Sequence, residues 1–271
     1  MIGRFALGFY RRLTALARFP ANLLLRYRLG QGKEDKARWS ERRGRASLVR
    51  PDGPLIWVHG ASVGETISIL PIVDKILAEG INVLITSGTV TSARLLDRRL
   101  PPGACHQYLP LDIPHYMARF LKHWKPDLGL IAESELWPNM LLEADKRDIP
   151  IVLINARMSE RSFERWLKFP RVATAVLGLI DLCLAQSEDD ARRLGQRGHV
   201  HAEEQPDQFE NGRLSSARTA REHHPPRRVE IHAITGLHLT VPFARSSWSR
   251  TANTAASVRR SIPSFDNRFD T

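Results

Sequence analysis

Apolar residues between positions 51 and 198 follow two alternating rhythms. Short runs that are apolar almost throughout occupy residues 55–58, 82–86, 107–109, 128–132, 151–154 and 182–185. Between them, segments near 65–79, 90–99, 113–124, 138–147, 160–177 and 188–197 carry helical spacing. Runs without polar alternation indicate strands buried on both faces. Strands alternating with helices at this spacing indicate βα units, right-handed crossovers and a parallel sheet. The pattern therefore predicts a doubly wound α/β domain over residues 51–198.

Residues 1–50 form a different segment. At 100° per residue Ile2, Phe5, Phe9, Leu13 and Leu16 share one helical face, and Arg4, Arg11 and Arg18 share the opposite one. This predicts an amphipathic helix ending near Pro20. The arginines interrupt the apolar positions before the roughly 18 residues that a membrane span needs. Arg11 and Arg12 also break the apolar core of a cleavable signal peptide. An interfacial helix fits the pattern, as does a surface helix packed on its own domain. Residues 21–50 read as a polar helix or linker. Residues 1–50 hold 13 Lys/Arg against 3 Asp/Glu, so they carry +10 of the chain's net charge of +11. A basic head on a near-neutral body expects an anionic surface as partner, through residues 1–28. No module interleaving aromatic and basic residues follows, so no nucleic-acid partner is expected.

At about His199 the rhythm stops. Lysine disappears from residues 199–271, while Arg, Ser and Thr are frequent. The composition matches a disordered tail, or coding sequence read out of frame. Six of the ten histidines lie here, but none has metal-ligand spacing on a plausible scaffold, so no metal site is expected. Cys105 and Cys183 are far apart and form no CxxC pattern, which suits a reducing compartment.

The candidate chemistry lies at strand ends. His59-Gly60-Ala61-Ser62-Val63-Gly64-Glu65 follows the first apolar run and reads as a strand, a tight loop and a helix start. Ligands of open α/β sheets collect at such loops. Glu65 is a candidate general base, and Ser62-x-x-Glu65 is equally a capping box. Gly60 and Gly64 would let a substrate approach the backbone. Glu133 and Glu135 follow the fourth run, where alternation would aim both carboxylates at one crevice. Pro138 would occupy the first turn of the next helix. Thr86-Ser87-Gly88-Thr89 offers hydroxyls and amides to an anion, or an N-cap. Arg157, after the fifth run, would clamp a phosphate or carboxylate, or pair with a neighbouring Glu.

Five motifs, HGASVGE, TSGTVTSA, YLPLD, ESELWPN and NARMSERS, occur in this order. Together they resemble the N-terminal half of the Kdo transferases, which move 3-deoxy-D-manno-octulosonic acid from CMP-Kdo onto a lipid A precursor. The resemblance runs from about Gly3 to Gly198. It implies the Rossmann-like N-terminal domain of a GT-B glycosyltransferase, holding the lipid acceptor and the catalytic base. Glu65 would be that base. Ser62, Gly64, Thr89, Glu133, Glu135, Asn139 and Arg157 would line the acceptor site. It further implies no metal or cofactor, CMP-Kdo as donor, and a place at the cytoplasmic face of the bacterial inner membrane. Residues 199–271 do not match the family's second domain, which would leave the cleft with one wall and transfer inefficient. The alternative is a non-catalytic, membrane-associated acceptor-binding domain.

Overall fold

The computed structural model describes residues 2–133 and 135–195, with the short stretches 202–204, 227–231 and 239–243. Seven parallel strands form one sheet: β1 (Leu55–His59), β2 (Asn82–Ser87), β3 (Ala104–Tyr108), β4 (Leu128–Ala132), β5 (Ile151–Ala156), β6 (Leu182–Ala185) and β7 (Ala202–Glu204). Their spatial order is β3-β2-β1-β4-β5-β6-β7. The expected doubly wound parallel α/β domain is present, and β7 extends its sheet past residue 198. Two further strands, β8 (Arg227–Ile231) and β9 (Leu239–Phe243), pair antiparallel. The expectation of a disordered or out-of-frame tail otherwise falls on residues outside those described.

Alternate strand residues serve opposite faces. Ile56 and Val58 pack with Val83 and Ile85 against α3 (Val63–Ala78) and α4 (Val90–Arg99). Leu55 and Trp57 face the other way, onto α5 (Pro114–Trp124) and α6 (Pro138–Asp145). The polypeptide changes faces between α4 and α5. The strand order therefore reverses between β1 and β4, which lie side by side with His59 opposite Ile131. Such a switch point opens a crevice at the carboxyl ends of the two strands.

The segment expected to be one helix near 160–177 is two: α7 (Glu160–Leu167) and α8 (Pro170–Leu177). Pro170 explains the break, since it opens a helix well but cannot continue one. The last helix of this domain is α9 (Glu188–Gly195).

The head departs from expectation in an informative way. It forms α1 (Ile2–Leu16) and α2 (Arg18–Gly30), and Pro20 sits in the first turn of α2 instead of ending a helix. Gly3 and Leu7 of α1 are buried, and Arg11 reaches Glu143 on α6. Phe5, Phe9, Leu13 and Leu16 face outward, Phe5 76% and Leu16 80% exposed. Phe19, Leu23, Leu24 and Tyr27 of α2 are also exposed. α1 is thus packed on its own domain, as the alternative expected, but through Gly3, Leu7 and Arg11, with its apolar stripe left facing outward. Among the described residues no helix is long and apolar enough to cross a membrane.

Part of the supposed linker is also ordered by charge. Glu41 is fully buried and accepts hydrogen bonds from Arg38, Ser47 and the Tyr108 amide, at 2.8 Å for the amide. It thereby covers the outer side of β3, an edge strand whose amides need partners.

Candidate active site

The loop after β1 is built by its glycines and by Ser62. A Cβ on Gly60 would lie 3.1 Å from the Glu65 backbone, so a side chain there would push the loop back from the first turn of α3 by a few tenths of an ångström. Gly88, after β2, would meet the Ala61 carbonyl at 3.1 Å and already donates its amide to that oxygen. The two loops are thus fastened together. A Cβ on Gly64 would meet only the Ser62 hydroxyl, at 3.9 Å, so the fold itself does not require glycine there.

Ser62 caps α3 and accepts from the Glu65 amide at 3.3 Å. The Glu65 carboxylate accepts from the amides of Ala61, at 2.8 Å, and Ser62, at 3.2 Å. The capping box is therefore real. It also holds a mostly buried carboxylate in one orientation at the switch point. An ionised carboxylate has about four acceptor positions, so two remain for a ligand. Thr89 likewise caps α4, accepting from the Ser92 amide at 3.1 Å.

Beneath this loop the strands carry a buried polar cluster that sequence reasoning missed. His59 is fully buried with Nδ1 2.9 Å from the Thr86 hydroxyl, which also accepts from the Trp57 indole at 2.8 Å. Burial pulls the His59 pKa down to about 4, so the ring is neutral at pH 7. The only signal was a polar residue ending an apolar strand.

Glu133 and Glu135 do come to the same crevice, but not by strand alternation. β4 ends at Ala132, and Glu133 adopts a left-handed backbone, φ 56°. Asn155, near the end of neighbouring β5, does the same at φ 50°. Non-glycine residues held in this region cluster at functional sites. Burial raises the Glu133 pKa, the Glu65 charge raises it further, and Arg157 opposes both. Burial raises that of Glu135 too, against a hydrogen bond from the Trp137 indole at 2.6 Å, while Glu65 and Glu133 add to the rise. Glu133 thus feels Glu65 and Arg157, and Glu135 feels Glu65 and Glu133, across β1, β4 and β5.

Asn139 does not join them. It is fully buried, and its amide donates to Thr14 at 3.0 Å and to the Asp112 carbonyl at 2.7 Å. The expected acceptor contact is corrected to an internal one. Asp112, from the YLPLD stretch, accepts from the amides of Asn139 and Met140 and from the Tyr10 hydroxyl. It caps α6 from outside the helix and ties α1 to it.

A sequence model of the family described as 3-Deoxy-D-manno-octulosonic-acid transferase (kdotransferase) matches residues 37–205. The chain belongs to this family. A probable 3-deoxy-D-manno-octulosonic acid transferase, mitochondrial, of Arabidopsis thaliana is 41% identical over 167 residues, 61% of this chain and 37% of that one. The 3-deoxy-D-manno-octulosonic acid transferase of Rickettsia bellii is 40% identical over 173 residues, 63% of this chain and 41% of that one. The chain thus spans about two fifths of the length of these relatives. Among solved structures, UDP-GlcNAc 2-epimerase from Neisseria meningitidis bound to UDP-GlcNAc aligns at 16% identity and a TM-score of 0.38, over 54% of this chain and 46% of that one.

Proposed function

We propose that this chain carries the acceptor half of a GT-B glycosyltransferase. In this reading it moves Kdo from CMP-Kdo to a lipid A precursor in lipopolysaccharide biosynthesis, at the cytoplasmic face of the bacterial inner membrane. The observation that carries the reading is the convergence of Glu65, Glu133, Glu135 and Arg157 at the switch point, in a chain of the Kdo transferase family.

The chemistry follows from these groups. An acceptor hydroxyl attacks the anomeric carbon of Kdo, and a C–O bond forms. The bond from that carbon to the phosphate oxygen breaks with inversion, and CMP leaves with the electron pair. The hydroxyl proton passes to Glu65, whose two amide contacts hold it in place. A positioned base contributes about 10²–10⁴-fold to such a step. Arg157 would receive an anionic group of the substrates, while Glu133 and Glu135 would accept hydroxyl hydrogens of the acceptor sugar. No metal is required by this scheme.

The outward apolar stripe of α1 and α2 supports membrane docking. Exposed contiguous apolar surface on a folded domain marks an interaction site. Aromatics at the acyl boundary beside arginines at the phosphates suit an anionic membrane surface.

The test is transfer of Kdo from CMP-Kdo to a lipid A precursor by the whole chain, followed by mass spectrometry alongside acceptor binding. Glu65→Gln keeps one acceptor oxygen for the Ser62 amide of the capping box and gives up the Ala61 contact, so its loss of activity reports chemistry when the melting temperature is unchanged. Transfer by the wild type that falls about 10²–10⁴-fold in Glu65→Gln, with acceptor binding retained, supports the enzyme. The complete capping box favours a second reading, in which Glu65 is only structural and the domain only binds acceptor. Acceptor binding without transfer selects that reading. Absence of acceptor binding overturns both.

A further inference from the structure

The structure contains a second candidate site, away from the acidic crevice. α1, α6 and α8 enclose a cleft of about 470 Å³ lined by Arg4, Leu7, Gly8 and Arg11 of α1, Leu142 and Asp145 of α6, with Lys146 just beyond, and Leu179 past the end of α8. α6 has its N-terminus at the acidic loop and its C-terminus here, so its eight residues, about 12 Å, separate the two sites. We propose that this cleft receives the glycerophosphate headgroup of a membrane lipid.

Three features of the cleft specify that occupant. The first is charge. Arg4 has no ion-pair partner among the described residues. Arg11 and Lys146 share one buried carboxylate, Glu143, with Arg147. Positive charge is left over at the cleft even with Asp145 at its rim, and a phosphodiester would meet it. The second is the wall. Leu7, Leu142 and Leu179 supply apolar surface beside the cations, which matches the glycerol and first methylenes of a lipid better than a free anion.

The third is position. Gly8 lies on the flank of α1 between the face packed on α8 and the outward stripe of Phe5, Phe9 and Leu13, while Arg4 and Arg11 lie deeper in the cleft, on the side of α1 away from the stripe. When the stripe lies in the acyl boundary, the Gly8 side of the cleft stands nearest the headgroups, and a phosphate entering past Gly8 would reach the cations behind it. Gly8 keeps the flank open: a Cβ there would have no atom within 4 Å. Glycine is otherwise a poor choice inside a helix, and space for a ligand accounts for it.

The inference rests on the membrane-docking reading, and the experiment separates the two. The probe is monomeric dihexanoyl phosphatidylglycerol below its micelle concentration, titrated into the whole chain and followed by ³¹P NMR. Vesicle flotation is run in parallel. Saturable binding is expected in the wild type. Gly8→Leu fills the cleft without changing charge, and Arg4→Gln removes the unpaired cation; each is expected to weaken binding at least fivefold. Gly8→Leu should melt at or above the wild-type temperature, so its loss reports the cleft. Vesicle binding without saturable binding of the short lipid overturns the headgroup site and leaves membrane docking standing. Inorganic phosphate bound as tightly as the lipid overturns the lipid as occupant. Failure of the wild type to float with vesicles overturns the docking reading itself.

Discussion

At the residue scale, burial decides which groups hold protons. His59 and His106 are both buried, and burial lowers their pKa values to about 4 and about 3. For His106 the Arg38 charge adds to the effect. In the unfolded chain both rings would take a proton near pH 6.5. The unfolded state therefore binds more protons below that pH, and stability falls as pH drops from 6.5 towards 4. Each histidine subtracts up to about 1.4 kcal/mol per pH unit in that window. Thermal melts should be flat between pH 7 and 8 and fall between pH 6.5 and 4. His106→Gln, which keeps polar partners for Ser87 and Arg38, should show a shallower fall. Asp112, Glu133 and Glu135 have raised values and act in the opposite sense, so the comparison with the variant isolates the histidine. Identical slopes in the two proteins would rule the histidine out as the source.

At the scale of elements, two glycines of α1 make opposite demands. A Cβ on Gly3 would lie 2.1 Å from the Arg171 carbonyl oxygen of α8, which cannot yield without moving backbone. Gly8 has no such neighbour. Gly3→Ala should therefore push α1 off α8 and cost about 1–3 kcal/mol, the usual penalty of overpacking. Gly8→Ala should stabilise the protein by about 0.5–1 kcal/mol, because alanine restricts the unfolded chain and favours helix. Denaturant melts of the two variants check the signs, and equal effects would contradict the packing of α1 on α8. The same helix is fastened further along. Tyr10 donates to Asp112 at 2.9 Å, and Asn139 donates to Thr14. The outward stripe is thereby held in a set orientation towards whatever surface it meets.

At the scale of the whole molecule, the apolar stripe and the basic head should act together. Flotation with vesicles containing phosphatidylglycerol is expected for the wild type. Rising salt should weaken it, because screening reaches about 8 Å at physiological ionic strength. Phe5→Ser combined with Phe9→Ser should abolish it at all salt concentrations while leaving the melting temperature unchanged, since both rings are exposed. A salt dependence unaltered by the double substitution would show that charge alone drives binding, and that the stripe serves another partner.

The strands and most helices of the sheet were legible because burial on both faces and helical spacing are local properties of sequence. The five motifs were equally legible, and so was the capping box at Ser62 and Glu65, which involves residues three apart. Asp112 was present in a recognised motif, but its role required α6 to arrive beside it from 27 residues away. The break at Pro170 was readable and was masked by apolar spacing that continued across it.

Sequence by itself determined the doubly wound domain, the family and the amphipathic character of α1. Each depends on spacing along the chain. Only the tertiary structure decided that the strand order reverses between β1 and β4, bringing Glu65 to Glu133, Glu135 and Arg157. Only it decided that Asn139 is internal and that α1 turns its aromatics outward. Those outcomes depend on which distant segments pair and on which face of a helix finds a complementary surface. Periodicity defines two faces of a helix, but packing and ion pairs such as Arg11 with Glu143 choose which one is buried.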